Sequence, residues 1–174
     1  IYTFVRMDGD DMYSIYKNET EIFFHKMYYG AESVIEEATI ILDSPVFTFY
    51  DLKGWKNEGH EYLNPIVSRN IWYKGETLNE KYNIEESSHL FSYKDKIGFV
   101  GEDEAGTFIF FDGQKISQNF DNIRTHSCCA VGMYPIRVYE NGILSFFARR
   151  GDKYYFVEED LNKGGIGIYE NENK

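Results

Sequence analysis

The stretch that decides the fold is IWYKGETLNEKYN at residues 71–83, because the chain repeats its pattern as IFFDGQKISQNFD at residues 109–121. The copies align without a gap. Each reads three apolar residues, a polar one, Gly, two polar, one apolar, three polar, one aromatic, then Asn or Asp. Gly75 and Gly113 suit the left-handed backbone of a tight hairpin turn, so each copy predicts a strand, a turn and a second strand. A looser copy begins at Ile15, with Asn at the turn position.

A second recurring element is a short apolar strand that precedes each copy and ends in a charged or glycine-containing turn. One phenylalanine marks each of these strands, at intervals of 45, 50 and 47 residues: Phe4, Phe49, Phe99 and Phe146. A repeat of about 45 residues that contains about four short strands has the size of a propeller blade. We therefore predict one all-β repeat domain over residues 1–174. Its units would be residues 1–39, 40–89, 90–134 and 135–174.

The turn glycines Gly75 and Gly113 are only 38 residues apart, which is shorter than the spacing of the phenylalanines. The difference places an insertion at about residues 53–68, and we expect it to form a loop that interrupts the strands. The best helical candidate, residues 31–38, is short and acidic. Strand-forming residues dominate the rest of the chain.

These units resemble β-propeller blades of the broad WD-repeat-like and TolB-like kind. The stretches that carry the resemblance are residues 96–117 and residues 142–161, the second of which reads GILSFFARRGDKYYFVEEDL. The resemblance implies a propeller-like array of about four blades, although the chain lacks the Trp-Asp and Gly-His signatures of true WD repeats. A weaker similarity links Ile97–Val100 and the residues after it to short aromatic and glycine repeats that form β-solenoids.

Four blades are the minimum for a closed ring, so two arrangements stay open. Ile1 lies inside an apolar alternation, which favours part of a larger propeller that a second chain or a further segment completes. Residues 164–169 have the composition of a closing strand, which favours a complete four-bladed ring.

Composition and charge exclude several classes of partner. With 43% apolar and 18% aromatic residues, the 174-residue chain can bury a substantial core. No apolar run approaches the roughly 20 residues that a membrane-spanning helix needs, so we expect no membrane insertion. The net charge of −11 repels phosphate, so nucleic acid is not an expected partner.

The two cysteines, Cys128 and Cys129, are adjacent and therefore do not suggest a disulfide framework. This favours a reducing compartment, but the sequence leaves the localisation unknown. His126 lies beside them, yet neighbouring cysteines in an extended segment point to opposite faces, so we predict no metal site. The acidic run at residues 8–11 is similar to the start of a calcium loop, but the sixth position of such a loop would be Tyr13 and not glycine. The run is better explained as a hairpin turn.

No catalytic constellation appears in the sequence: nucleophile elbow, zinc-protease, P-loop and dinucleotide motifs are all absent. We therefore predict no catalytic residues and no cofactor, and we favour a protein that is not an enzyme. The candidate binding residues are Trp55, His60 and Tyr62, in the predicted insertion. Exposed aromatic side chains there can anchor a protein or stack on a sugar ring.

The leading functional hypothesis is a non-enzymatic interaction module, a propeller-like scaffold that presents loops to a protein or ligand partner. The alternative is a carbohydrate-binding or glycoside-processing protein that uses loop aromatics and carboxylates.

Overall fold

A computed structural model describes residues 1–7, 12–26, 35–57, 63–125 and 136–170. The chain divides into two compact units, Ile1–Glu86 and Ser87–Lys174. Antiparallel strands make up most of the described chain, and the helix within it is five residues long. The all-β prediction is therefore confirmed.

The first unit contains two open sheets of sequentially adjacent strands. The first sheet has the order β1-β2-β3: β1 (Tyr2–Met7), β2 (Met12–Lys17) and β3 (Thr20–Lys26). The second has the order β4-β5-β6-β7, followed by a short helix: β4 (Ile35–Ile41), β5 (Ser44–Asn57), β6 (Leu63–Tyr73), β7 (Glu76–Thr77) and α1 (Leu78–Tyr82).

The second unit also contains two open sheets. One has the order β11-β10-β9-β8: β8 (Glu86–Tyr93), β9 (Lys96–Asp103), β10 (Gly106–Phe111) and β11 (Gln114–Lys115). In the other, β14 pairs with β12, β13 and β15, and β15 pairs with β16: β12 (Asn122–Ile123), β13 (Ile136–Val138), β14 (Ile143–Arg150), β15 (Lys153–Asp160) and β16 (Gly165–Glu170).

Tight turns join the strands where the sequence predicts them. At Lys74-Gly75 and Asp112-Gly113, two consecutive residues have positive φ, as two-residue hairpins of the favoured twist require. Gly106 has a stricter requirement, because a Cβ there would lie 2.4 Å from the backbone oxygen of Phe120. Only glycine fits this position.

Each unit has its own apolar core. In the first unit, Phe47 is fully buried and its ring stacks on Trp72, with the two centroids 5.2 Å apart. In the second unit, Phe146 is fully buried and packs edge-on against Phe120 at 6.0 Å. Burial of aromatic rings of this size is the dominant stabilising contribution of such a core.

The two aligned copies make the same unusual hydrogen bond. The backbone N–H of Ile71 donates to Oδ1 of Asn79 at 3.0 Å, and that of Ile109 donates to Oγ of Ser117 at 2.8 Å. In both copies, a buried polar side chain eight residues downstream therefore accepts a hydrogen bond from a backbone N–H that lies beyond the end of the short second strand.

The expected loop at residues 53–68 is wrong, because β5 and β6 run through most of it as one long antiparallel hairpin. The pairing shifts register between Leu52 and Gly54, which leaves Lys53 as an extra, bulged residue. A bulge breaks the alternation of apolar and polar residues, and this is why the sequence did not read as a strand.

The helical candidate at residues 31–38 is also wrong where the structure describes it, because residues 35–38 belong to β4. Residues 31–34 lie outside the described part of the chain, as do the acidic run at residues 8–11 and the cluster of His126, Cys128 and Cys129.

Among the strands that the structure describes, each of the four sheets is open and none closes on itself. The described residues include no helix long and apolar enough to cross a membrane.

Candidate functional site

The candidate site is a cleft of about 380 Å³ in the first unit. Its lining comes from four strands and the helix: Ile22, Phe23, Phe24, His25, Phe49, Asp51, Asn70, Trp72, Thr77 and Glu80. A volume of this size is within the range of small-molecule sites in proteins.

The register of β5 and β6 produces one face that changes from apolar to polar along its length. Paired residues point to the same side of a sheet, so the successive pairs Phe47–Trp72, Phe49–Asn70 and Asp51–Ser68 share a face. The aromatic end packs in the core, and the polar end leads out to the cleft.

The floor of the cleft is rigid because its aromatic rings pack on one another. Phe23 meets Trp72 edge-on at 5.6 Å and Phe49 edge-on at 5.3 Å. All three residues are less than 9% exposed. Most of each ring is therefore used within the core, and little aromatic surface is available to a ligand.

His25 is fixed in orientation at the side of the cleft. Its Nε2 lies 2.8 Å from the backbone oxygen of Tyr50, and its ring packs edge-on against Phe49 at 5.1 Å. A carbonyl oxygen only accepts hydrogen bonds, so Nε2 is the protonated nitrogen. In the neutral ring, Nδ1 is left as an acceptor.

Asn70 is the deepest polar side chain of the cleft, with 5% of its surface exposed. Its Nδ2 donates to the backbone oxygen and to Oγ of Ser68, both at 3.3 Å. The donor end of the amide is thus used within β6, and Oδ1 is the acceptor that the residue offers to a ligand.

Two carboxylates complete the lining. Asp51 keeps 42% of its side chain exposed and accepts a hydrogen bond from Nζ of Lys53 at 3.0 Å. Glu80 is exposed on α1. Of the described residues that line the cleft, none is Lys or Arg. The cleft is accordingly rich in hydrogen-bond acceptors and acidic.

Of the three residues predicted from the sequence, Trp55 lies on β5, is 46% exposed and does not line the cleft. His60 and Tyr62 lie outside the described residues. The register places Trp55 on the same face of the hairpin as Leu52, which is 37% exposed, and Ile66 on the opposite face.

Sequence reasoning missed the cleft because each of its polar residues comes from a different strand or from the helix. The available signal was the placement of polar residues at the ends of aromatic alternations, His25 after Phe23 and Asp51 after Phe49. That signal also fits an ordinary strand end, so it does not identify a site.

A separate buried carboxyl, that of Glu159, lies in the second unit. Glu159 is 1% exposed, and neither of its carboxyl oxygens has a hydrogen-bond partner among the described residues. Burial raises the pKa of this carboxyl to about 8. The register pairs it with Leu144, a fully buried residue of the core.

No group of three or more metal-binding side chains occurs within the described ranges. Comparison of the chain with protein-family models, with curated proteins and with solved structures gives no match.

Proposed function

We propose that the protein is a non-enzymatic binding module and that the cleft of the first unit holds a small polar ligand. The observation that carries the proposal is the convergence of Asp51, Asn70 and Glu80 on a rigid aromatic floor. A concave site with a few polar groups on a rigid scaffold is the usual form of a ligand site. The propeller-like arrangement predicted from the sequence is part of this proposal. The matching hydrogen bonds of Asn79 and Ser117 support a repeat.

Thermal-shift measurements with a panel of neutral, cationic and anionic small molecules test the proposal. We expect at least one class to raise the melting temperature, because a ligand that binds only the folded state stabilises it. Glu80→Trp fills the mouth of the cleft at an exposed position and should abolish the shift. Lys81→Trp, at the neighbouring exposed residue outside the cleft lining, should preserve it. A shift that survives Glu80→Trp would place the ligand elsewhere.

A second candidate function is the presentation of the β5–β6 hairpin to a protein partner. The specific observation is that Leu52 and Trp55 are exposed on one face of the hairpin. Tryptophan is enriched among the residues that dominate binding energy at interfaces.

A photo-crosslinking amino acid at position 52, on the same face of the hairpin, leaves Trp55 in place and would identify the partner, which is then purified and its affinity measured. Trp55→Ala should weaken binding by about tenfold or more. Ile66→Ala removes an equally exposed apolar side chain from the opposite face and should have little effect. Equal effects of the two variants would contradict a specific role of this face.

A further inference from the structure

The hydrogen-bonding groups of the cleft restrict the chemistry of its ligand. Asp51, Asn70 and Glu80 present acceptors, and Nδ2 of Asn70 and Nε2 of His25 are already used within the protein. A cleft rich in acceptors requires a ligand rich in donors. Carboxylates without a lining Lys or Arg also disfavour an anionic ligand, because they repel its charge.

The aromatic floor distinguishes between two classes of donor-rich ligand, an organic cation and a neutral polyol. A cation binds over the faces of aromatic rings, where the quadrupole is negative. Here the face of Trp72 is stacked on Phe47, and Phe23 packs edge-on against Trp72 and Phe49. Phe23, Phe49 and Trp72 are each less than 9% exposed, so little ring face is available to an ammonium group, whereas a polyol recognised through hydrogen bonds does not need one.

The partly balanced charge of Asp51 also favours a neutral polyol over a cation. Nζ of Lys53 lies 3.0 Å from Oδ2 of Asp51, so part of the negative charge at the rim is already balanced. The carboxylate still has acceptor capacity, because its two oxygens offer about four lone-pair positions. Two adjacent hydroxyl groups on a sugar ring match this arrangement.

We infer that the ligand of the cleft is a neutral carbohydrate, with Asp51 and Oδ1 of Asn70 accepting hydrogen bonds from its hydroxyl groups. The inference rests on the proposed function and names the ligand class of the same site. The cleft volume of about 380 Å³ suits one or two sugar rings. Hydrogen bonds would supply most of the recognition, since the floor exposes little aromatic surface.

The tryptophan content of the chain provides a direct test. The sequence contains two tryptophans, and of these Trp72 lines the cleft while Trp55 does not. In a Trp55→Phe background, Trp72 is the only tryptophan reporter. Its emission is titrated with neutral mono-, di- and oligosaccharides, with choline and lysine methyl ester as cations, and with sugar phosphates as anions.

We expect saturable changes with neutral saccharides alone. Asp51→Asn in the same background should weaken the binding by about tenfold, because a hydrogen bond to a charged group is lost. Asp112→Asn is the matched control: Asp112 is 46% exposed, is paired with Lys96 and lies in the second unit. It should leave the affinity unchanged. Far-ultraviolet circular dichroism and a thermal melt of each variant confirm that it is folded.

Two results would overturn the inference in different ways. If a cation or an anion changes the emission in an Asp51-dependent manner and saccharides do not, the ligand class is wrong while the binding module stands. If no compound changes the emission and none raises the melting temperature in the panel described above, the cleft is not a ligand site. The carbohydrate inference and the proposed function then fail together.

Discussion

At the scale of single residues, Glu159 is the clearest departure from what packing alone would select. A carboxyl group that is 1% exposed and has no described hydrogen-bond partner is costly to ionise. Its neighbours on the same face of the sheet are apolar. Leu144 pairs with Glu159, and the next pair on that face is Phe146 with Val157. In this register no described charged residue of β13 or β14 faces Glu159. The side chains of β16 are outside the described set.

The raised pKa of Glu159 leads to a prediction about pH. Between about pH 4.5 and 8 the folded state keeps the proton that the unfolded state has released. Retention of this proton favours the folded state. The stability that it contributes is therefore fully present below the pKa of the unfolded chain and is lost as the pH rises through the pKa of the folded protein. We expect Glu159→Gln, which cannot ionise, to gain stability relative to the parent chain across this window, by about 1 kcal/mol for each pH unit.

Urea unfolding at several pH values across this window measures the difference. Glu158→Gln is the matched control, since Glu158 is the preceding residue on the same strand and points to the opposite face. Its stability difference from the parent should not follow the same pH dependence. A difference between Glu159→Gln and the parent that stays constant with pH would mean that Glu159 is ionised in the folded protein.

At the scale of elements, Asn79 explains how a two-residue strand is sufficient to flank β6. β7 pairs only with Trp72 and Tyr73, and the Asn79 side chain then takes over. Its Oδ1 accepts from the backbone N–H of Ile71, and its Nδ2 donates to the backbone oxygen of Arg69 at 3.2 Å. One amide thus replaces two hydrogen bonds that a longer strand would have made.

We expect Asn79→Ala to destabilise the protein by about 2 to 4 kcal/mol, because it leaves both backbone groups without their partner. Ser117→Ala removes the acceptor for the backbone N–H of Ile109 and the donor to the backbone oxygen of Gln118, and should cost about 1 to 3 kcal/mol. Gln114→Ala, at an exposed position on β11, serves as the control. Chemical unfolding ranks the three. An Asn79→Ala effect no greater than that of Gln114→Ala would show that water replaces the amide.

The long β5–β6 hairpin shows why an element can be hidden in a sequence. Its bulge at Lys53 moves the alternation by one residue, so that Leu52 and Trp55 share a face although they are three residues apart. A search for period-two alternation therefore ends at the bulge. The turn at Lys74-Gly75, in contrast, was predictable because its geometry depends on the two residues that form it.

At the scale of the whole molecule, the net charge of −11 is the main electrostatic property. The described ion pairs are mostly exposed, as at Lys17–Asp43 and Lys81–Glu76, and such pairs contribute little to stability. Repulsion among the excess carboxylates should therefore outweigh them at low ionic strength.

We expect the melting temperature at neutral pH to rise as sodium chloride is increased from about 0.01 M to 0.15 M, because the Debye length falls from about 30 Å to about 8 Å. The effect should shrink near pH 4.8, where the net charge of the sequence approaches zero. Differential scanning calorimetry at the two pH values provides the comparison. A melting temperature that falls with salt at neutral pH would indicate that attractive pairs dominate.

The sequence by itself determined the features that depend on neighbouring residues: the strand-rich class, the hairpin turns at Gly75 and Gly113, and the match between residues 71–83 and 109–121. Local backbone preferences and side-chain alternation are sufficient for these. The cleft was decided only by the tertiary structure. His25, Asp51, Asn70 and Glu80 come from separate elements, and their meeting depends on strand register and on packing over the aromatic core. The burial of Glu159 was likewise hidden, because a glutamate in an alternating strand is ordinarily on the solvent face.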